Sequence, residues 1–251
     1  AMGRPVTEAL VDYARPEPGM RVVDLASGTG EPAISLAARV GPQGHVTAVD
    51  LSADLLEIAE GRARVRGLTN FTTQQADAQS LPLPENSYDL GTSRFGVMFF
   101  REPGAAMREL RRVLRVGARA CFLVWGSFDQ PYWKSTMGAV HRHVGGALLE
   151  PGGPDPFCFA HPGSLSGVLR AAGFRSVEEE TRTLPWAWPG PPEEVWEQMK
   201  SVAVPFRTLL DRVKPDQWPE LNAQVCREVA QYSDGQTISF GASVVLASGQ
   251  K

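Results

Sequence analysis

The stretch VDLASGTG, residues 23–30, decides the fold of this 251-residue chain. The β-rich segment RVVDL (21–25) predicts a strand, and the apolar spacing over 32–40 predicts a helix directly after the glycines. Gly28 and Gly30 let the backbone bend sharply and approach a ligand closely. The N-terminus of the helix leaves N–H groups that face the turn. A strand, a tight turn and a helix in this order predict the first unit of a parallel α/β sheet.

The same alternation of strand and helix continues through the first half of the chain. Strands separated by helices of this length indicate right-handed βαβ units, with helices on both faces of a doubly wound sheet. Such a sheet binds ligands at the carboxyl ends of its strands. The predicted strands are 21–25, 45–49, 71–75, 88–92 and 118–125, and the predicted helices are 32–40, 54–65 (with Ser52 as N-cap) and 105–114.

The second half is richer in glycine, proline and aromatic residues, and it predicts a partly helical cap over the active edge of the sheet. One short helix is expected near 133–144 and three helical stretches between 189 and 232. The predicted organisation is a cofactor-binding core with five strands (1–126), a cap insert (127–160), a core helix and sixth strand (161–184), a helical cap insert (185–236) and the last core strand (237–251).

Charge and cysteine content narrow the class of partner. A net charge of −3 gives no basic surface for a phosphate backbone, so a nucleic-acid partner is not expected. The three cysteines lie far apart without metal-ligand spacing, which predicts no metal site and a reduced, cytoplasmic setting. No apolar run approaches a membrane span, and no signal-peptide pattern opens the sequence. Ala1 before Met2 is interpreted as a tag remnant.

Three aspartates end successive predicted strands at one edge of the sheet: Asp24, Asp50 and Asp77. Asp50 follows Gly30 by twenty residues, where a carboxylate accepts both hydroxyls of an adenosine ribose. Asp77 is placed to accept a hydrogen bond from an adenine amino group. Asp24 and Glu31 put negative charge where a pyrophosphate would bind, so they suit a ligand with a sulfonium and an ammonium group. A single aspartate at a strand end is usually a helix cap or a solvated turn, but three at one edge indicate a binding site.

Four segments in combination resemble the class I S-adenosylmethionine (SAM)-dependent methyltransferases. The resemblance is closest to the branch that contains the ubiquinone/menaquinone-biosynthesis C-methyltransferases and many bacterial small-molecule methyltransferases. It implies a Rossmann-like fold with a seven-stranded, mostly parallel sheet, SAM as cofactor and S-adenosylhomocysteine as product. Ser27 stands where the family often has Gly or Cys, and Ala118 where it has Gly. The matching segments are VVDLASGTG (22–30), VTAVDLS (46–52), ADAQSLPLPENSYDLGTSRFGVMFF (76–100) and AAMRELRRVLRVGARACFLVWG (105–126).

The resemblance also implies which residues hold the cofactor. The first aspartate and the glycine turn would hold the methionine part, the second would bind the ribose, and the third would meet the adenine edge. The residues after strand four would lie beside the methionine tail and face the substrate. The cofactor-binding residues predicted in this way are Asp24, Ala26, Gly28, Thr29, Gly30, Asp50, Leu51, Asp77, Ala78, Ser93 and Arg94.

The sequence predicts methyl transfer to oxygen or carbon of a small, partly apolar molecule. Because the sulfonium already activates the methyl group, the enzyme mainly aligns the acceptor and excludes water. A general base is needed only for an acceptor that does not lose its proton unaided. His141, His143 and His161 are candidates for such a base, and Tyr132 and Trp133 are candidates for an aromatic pocket. For each of them, a solvated or packing role is the more common one in proteins.

Two alternatives stay open at this point. A nicotinamide-dependent reductase would need a third glycine near residue 33, or a Tyr-x-x-x-Lys pair if it were of the short-chain type, and neither is present. A SAM-binding protein without catalysis would have large side chains in its substrate pocket, and FGVMFF (95–100) lies where these would be found. The sequence assigns no oligomeric state.

Overall fold

The computed structural model describes residues 3–251, so the interpretation of Ala1 as a tag remnant lies outside the described residues. The strands are β1 (Arg21–Leu25), β2 (His45–Asp50), β3 (Phe71–Gln75), β4 (Tyr88–Arg94), β5 (Leu114–Trp125), β6 (Arg175–Pro189) and β7 (Thr237–Gln250). They form one seven-stranded sheet in the order β3-β2-β1-β4-β5-β7-β6. The first five strands are parallel, and β7 runs antiparallel between β5 and β6. The predicted α/β fold with a seven-stranded, mostly parallel sheet is therefore confirmed.

Helices cover both faces of this sheet. The helices are α1 (Arg4–Ala14), α2 (Ala33–Val40), α3 (Ala53–Val65), α4 (Pro103–Val113), α5 (Pro131–Ser135), α6 (Met137–Val144), α7 (Ser164–Ala171), α8 (Pro192–Val202), α9 (Arg207–Leu210) and α10 (Trp218–Ala230). α2 packs between α1 and α3, while α4 packs against α7. Because the crossovers reverse direction after β3, these two groups lie on opposite faces. Central strands covered on both sides read as continuous apolar runs, as in β5, where Ala120–Trp125 are all buried.

The structure differs from the predicted elements at the N-terminus, at the start of β5 and in the first cap insert. Residues 4–14 form α1, which was not predicted although its buried residues recur at helical spacing. The strand β5 begins directly after α4, at Leu114, where the helix had been expected to continue. The single helix predicted over 133–144 is two helices, α5 and α6, separated at Thr136.

The strand β6 continues to Pro189, five residues beyond its predicted end at Leu184. Its pairing with β7 extends to Pro189 opposite Thr237, whereas β5 pairs with β7 only as far as Trp125 opposite Val244. Residues 183–189 and 237–243 therefore form a two-stranded ribbon that projects past the end of β5, and α8–α10 connect its two strands. Pro185 did not end the strand because β6 lies at the sheet edge, where a missing N–H is tolerated.

Candidate functional site

The glycine-rich turn after β1 is tied to the end of β2. Asp50 accepts the backbone N–H of Gly28 on Oδ2, at 2.8 Å, and that of Ser52 on Oδ1, at 3.0 Å. The N–H of Ser27 donates to the carbonyl of Val49 at 3.0 Å. Each carboxylate oxygen of Asp50 has a second lone pair, so this side chain can hold the turn and accept two ligand hydroxyls at the same time.

A cavity of about 260 Å³, called here the edge cavity, opens at the carboxyl edge of the sheet. Two of its apolar wall residues are largely exposed, Leu51 at 68% and Phe99 at 46%. A flat apolar ligand in this cavity would remove both from water, which is favourable. The lining residues are Ala26, Val49, Asp50, Leu51, Ala76, Asp77, Ala78, Phe95, Gly96, Phe99 and Phe100.

Two non-glycine residues in the wall of the edge cavity have left-handed backbones. Ala26 has φ 53° and Phe95 has φ 58°. Ala26 packs closely against Gly96, the residue after Phe95, since a Cβ on Gly96 would come within 2.5 Å of the Cβ of Ala26. Strained backbone of this kind persists where surrounding structure enforces it, and it concentrates at functional sites.

A larger polar cleft, of about 900 Å³, lies between α1, the glycine-rich turn and α3. Arg62 of α3 donates to the turn twice, to the carbonyl of Thr29 at 3.0 Å and to its hydroxyl at 2.7 Å. One helical turn further on, Arg66 forms an ion pair with Glu31 at 2.8 Å. Two arginines on one face of α3 therefore hold the turn in position.

Asp24 lies at the end of β1, completely buried. Its Oδ1 accepts the hydroxyl of Thr92 at 2.6 Å, while Oδ2 has no hydrogen-bond partner among residues 3–251. Burial raises the pKa of this carboxyl to about 7, although the hydrogen bonds from Thr92 and Ser27 and the charge of Arg94 act in the opposite direction. A cationic ligand group at Oδ2 would supply the missing partner.

Arg94, at the end of β4, lines the polar cleft beside α1. It donates to the hydroxyl of Thr7 at 2.7 Å, and its Nε is buried without a partner in the described part of the chain. Burial lowers the pKa of this guanidinium, while the charges of Asp24 and Glu31 raise it. This part of the site therefore holds two carboxylates and one guanidinium close together and partly out of water.

The structure brings most of the predicted cofactor residues to these two cavities. Ala26, Asp50, Leu51, Asp77 and Ala78 line the edge cavity, and Thr29 and Arg94 line the polar cleft. Gly28 and Gly30 shape the turn between β1 and α2, with φ 52° and 108°. Asp24 and Ser93 line neither cavity, since both are fully buried, and Ser93 donates its hydroxyl to the carbonyl of Leu25 at 2.8 Å.

The predicted catalytic candidates His141, His143 and Tyr132 lie in the first cap insert. His141 and His143 belong to α6, which packs against α5, α9 and α10, and neither lines the edge cavity or the polar cleft. Nε2 of His141 contacts the carbonyl of Gly146 at 2.8 Å. Burial raises the pKa of Tyr132, so its hydroxyl stays protonated at neutral pH and acts as a hydrogen-bonding group rather than as a base.

Five aromatic rings gather beside the edge cavity, at the carboxyl ends of β4 and β5. The ring of Trp125 contacts all the others, and this aromatic cluster was not predicted from the sequence as a unit. The position of Trp125 at the end of a strand, next to the predicted edge, is the signal that could have indicated it. The members are Phe95, Trp125, Tyr132, Trp133 and Trp186.

Comparison with known proteins identifies the core. Residues 22–117 match the family of the methyltransferase domain. The chain is 40% identical over 125 residues to the ubiquinone/menaquinone biosynthesis C-methyltransferase UbiE of Xanthomonas oryzae, covering 49% of each protein. It is 32% identical over 130 residues to the demethylmenaquinone methyltransferase of Listeria welshimeri, covering 52% of this chain and 55% of the relative. Residues 22–117 are thus similar to methyltransferase domains, and the chain spans about half the length of the curated relatives it matches.

Solved structures share the fold over nearly the whole chain. The YcgJ protein of Bacillus subtilis superposes with a TM-score of 0.62 at 21% identity, covering 98% of this chain and 97% of that one. The [4+2]-cyclase SpnF superposes with a TM-score of 0.58 at 21% identity, covering 98% and 80%. The chain therefore shares the Rossmann-like fold of these structures. Since SpnF is named as a cyclase, the reaction has to be argued from the site rather than from the fold.

No group of three or more His, Cys, Asp or Glu side chains in residues 3–251 is arranged to hold a metal ion. No described helix has the length and apolar character that crossing a bilayer requires.

Proposed function

We propose that this chain is a SAM-dependent methyltransferase that transfers a methyl group to oxygen or carbon of a small, partly apolar molecule. The observation that carries the proposal is the buried Oδ2 of Asp24, which has no partner among the described residues and belongs to the strand that precedes the glycine-rich turn. A carboxylate in this position favours a ligand with a positive charge. It opposes a pyrophosphate, and this separates SAM from a nicotinamide dinucleotide.

The residues present fit SAM from end to end. Asp24, Glu31 and Arg94 form a set of mixed charge for an amino-acid group, and Asp50 has free lone pairs for the ribose hydroxyls. Leu51 and Phe99 offer apolar surface to an adenine ring in the edge cavity. Asp77 lines the same cavity, and its Oδ1 accepts the N–H of Gln79 at 2.8 Å, which fixes the carboxylate at the cavity wall.

The chain's own residues bind and orient rather than react. Bound SAM supplies a methyl group on a sulfonium, and transfer to an acceptor oxygen or carbon leaves a thioether and releases the acceptor's proton. The aromatic cluster stands beside the edge cavity and excludes water from the acceptor side. Phe95 belongs to both the edge cavity and the aromatic cluster, so it marks where cofactor and acceptor meet.

The names of the curated relatives indicate the first acceptor to test. They are called C-methyltransferases of ubiquinone/menaquinone biosynthesis and demethylmenaquinone methyltransferase. A ring carbon of a quinone-type compound is therefore our first candidate for the acceptor atom. The matched methyltransferase domain ends at residue 117, before the cap begins, so the acceptor side of the site is this chain's own.

The cofactor assignment predicts that SAM and S-adenosylhomocysteine raise the melting temperature. A ligand that binds only the folded state stabilises it by about 2.7 kcal/mol at a hundred times its dissociation constant. NAD and NADP should leave the melting temperature unchanged, because Asp24 and Glu31 repel a pyrophosphate. Thermal melts and calorimetry with each compound at equal concentration make the comparison. Stabilisation by NAD without stabilisation by SAM would overturn the assignment.

A further inference from the structure

The ring of Phe95 lies between the edge cavity and the aromatic cluster. It is part of the cavity wall, and it stacks on the indole of Trp125 with ring centroids 4.4 Å apart and an interplanar angle of 16°. The rings of Trp133 and Trp186 meet the same indole edge-on, at 83° and 73°. One face of the Trp125 indole therefore stacks on a flat ring. The rings of Trp133 and Trp186 enclose the position that this flat ring occupies.

We propose that Phe95 is a plug that occupies the acceptor's place, and that the acceptor is a planar aromatic ring which replaces it on Trp125. The proposal rests on the proposed function and names the acceptor class for the same site. In the absence of acceptor, the chain fills the place with its own aromatic ring. An acceptor of the same shape would recover the stacking that Phe95 gives up, whereas a non-planar one would not.

The backbone at Phe95 supports a plug rather than a fixed wall. Its φ of 58° is unusual for a bulky side chain, so this conformation is held by its surroundings. The turn at Ala26 blocks any side chain at Gly96, which fixes the loop behind the ring. A guanidinium also lies 5.8 Å from the Phe95 ring centroid, that of Arg94. Release of the ring would let the residue leave this left-handed conformation.

Three buried donors around the stack indicate that the ring carries an oxygen. Nε of Arg94, Nε1 of Trp133 and Nε1 of Trp186 are buried and have no hydrogen-bond partner in residues 3–251. Buried polar groups are nearly always paired in folded proteins. A hydroxyl or carbonyl oxygen on the acceptor ring would accept from one of these donors and set the ring's orientation.

The test uses two probes of similar size, planar 2-naphthol and non-planar decahydro-2-naphthol, titrated by calorimetry into the full chain saturated with S-adenosylhomocysteine. Phe95→Ala should bind 2-naphthol about tenfold more tightly than the wild type, which corresponds to about 1.4 kcal/mol. Decahydro-2-naphthol should gain much less. Trp125→Leu should abolish binding of 2-naphthol, while Trp125→Phe, which keeps a flat face, should retain it.

Phe157→Ala is the matched control, because Phe157 is another half-buried phenylalanine that contacts Trp133, at 5.3 Å, on the far side of the cluster. It should leave 2-naphthol affinity at the wild-type value. The plug hypothesis would be overturned if Phe95→Ala increased the affinity for both probes by the same factor. It would also be overturned if Phe157→Ala increased the affinity for 2-naphthol as much as Phe95→Ala does. Should Phe95→Ala melt early, Phe95→Leu makes the same comparison with a smaller loss of volume.

Failure of the proposed function has a different signature. In that case S-adenosylhomocysteine itself would not bind the wild-type chain, as measured before any probe is added. If S-adenosylhomocysteine binds but substitution of Phe95 leaves the affinity for 2-naphthol unchanged, the proposed function stands and the plug hypothesis is wrong. Total tryptophan fluorescence gives a second readout, since replacement of the ring stacked on Trp125 by naphthol should quench part of it in wild type and less in Trp125→Leu.

Discussion

Asp24 combines complete burial with a carboxylate oxygen that lacks a partner in the described part of the chain. Its pKa is raised from 3.8 to about 7, chiefly by burial. The folded chain therefore binds a proton here that the unfolded chain has lost between these two pH values. By linkage, the contribution of Asp24 to stability is fully present below the pKa of the unfolded chain and is lost as the pH rises through about 7.

Asp24→Asn should remove this pH dependence, because an amide of the same shape never ionises. At pH 8 the variant without ligand should melt several degrees above the wild type, and at pH 4 the two should melt together. It should nonetheless bind SAM more weakly, since the charge that pairs with the cofactor's ammonium is gone. Thermal melts from pH 4 to 9 and calorimetry at pH 8 measure the two effects. Asp54→Asn, which removes an exposed carboxylate at the start of α3, is the control for net charge.

An unchanged melting profile in Asp24→Asn would mean that Asp24 is already ionised and satisfied in the free chain. For the wild type, SAM affinity should also fall as the pH is lowered through about 7, because binding needs the ionised carboxylate. A flat affinity profile between pH 6 and 8 would contradict the pairing of Asp24 with an ammonium.

The position of a single residue could be predicted from the sequence where the end of a strand determines that position. Asp50, Leu51, Asp77 and Ala78 follow strands at the carboxyl edge, and all line the edge cavity as placed from the sequence. Ser93 also follows the pattern of the family, yet its hydroxyl points to the carbonyl of Leu25. Alternation along a strand decides which side a residue faces, and a shift of one position reverses it. Phe95 follows β4 in the FGVMFF stretch (95–100), where large side chains at the substrate pocket were considered, whereas Trp125 at the end of β5 was not singled out, because its role depends on contacts between distant elements.

At the scale of elements, the helix α3 influences the site because it holds the glycine-rich turn in position. Arg62 makes two hydrogen bonds to Thr29, and Arg66 pairs with Glu31. The turn includes a left-handed alanine, Ala26, at φ 53°. A turn with this strain needs outside contacts to keep its amide groups aimed at a ligand. Arg62 in α3 and Arg66 directly after it are such contacts, and both are exposed at the surface.

Arg62→Ala should therefore weaken SAM binding with little effect on stability. The loss of hydrogen bonds from a charged side chain near the surface costs about 1 kcal/mol, or roughly fivefold in affinity. Arg62→Lys should recover part of the loss. Arg64→Ala, an exposed arginine on the same helix, should bind SAM like the wild type. A lower melting temperature of Arg62→Ala without a change in SAM affinity would assign Arg62 to stability alone.

The ribbon of residues 183–189 and 237–243 is an element that the sequence pattern did not predict. The pattern of the sequence predicted β6 up to Leu184, because Pro185 resembles a strand end. Only the sheet order reveals that β6 lies at an edge, where proline is compatible with pairing. As a result Trp186, expected in a helical insert, is instead on a strand opposite Phe240 and reaches the aromatic cluster.

At the scale of the whole molecule, we propose that the core binds the cofactor and the cap selects the acceptor. The residues that line the edge cavity and the polar cleft all lie between 3 and 100, within the predicted core of 1–126. The cap, taken here as residues 127–160 and 190–236, contains α5 and α6 and α8 to α10. It adds Tyr132 and Trp133 to the aromatic cluster, which is the acceptor side of the site.

This division predicts two separable patterns of hydrogen exchange. S-adenosylhomocysteine should slow exchange in 24–31, 50–55 and 76–80, because it orders the turn and the strand ends that contact it. Residues 192–230 should exchange at the same rate with and without the cofactor. Adding 2-naphthol to the complex should then protect 125–133 and 183–189, where the aromatic cluster meets the ribbon. Mass spectrometry of peptides from these segments measures both patterns, and NAD in place of S-adenosylhomocysteine serves as the control. Protection of 192–230 by the cofactor alone would show that the cap closes on the cofactor, and the division of labour between core and cap would then be wrong.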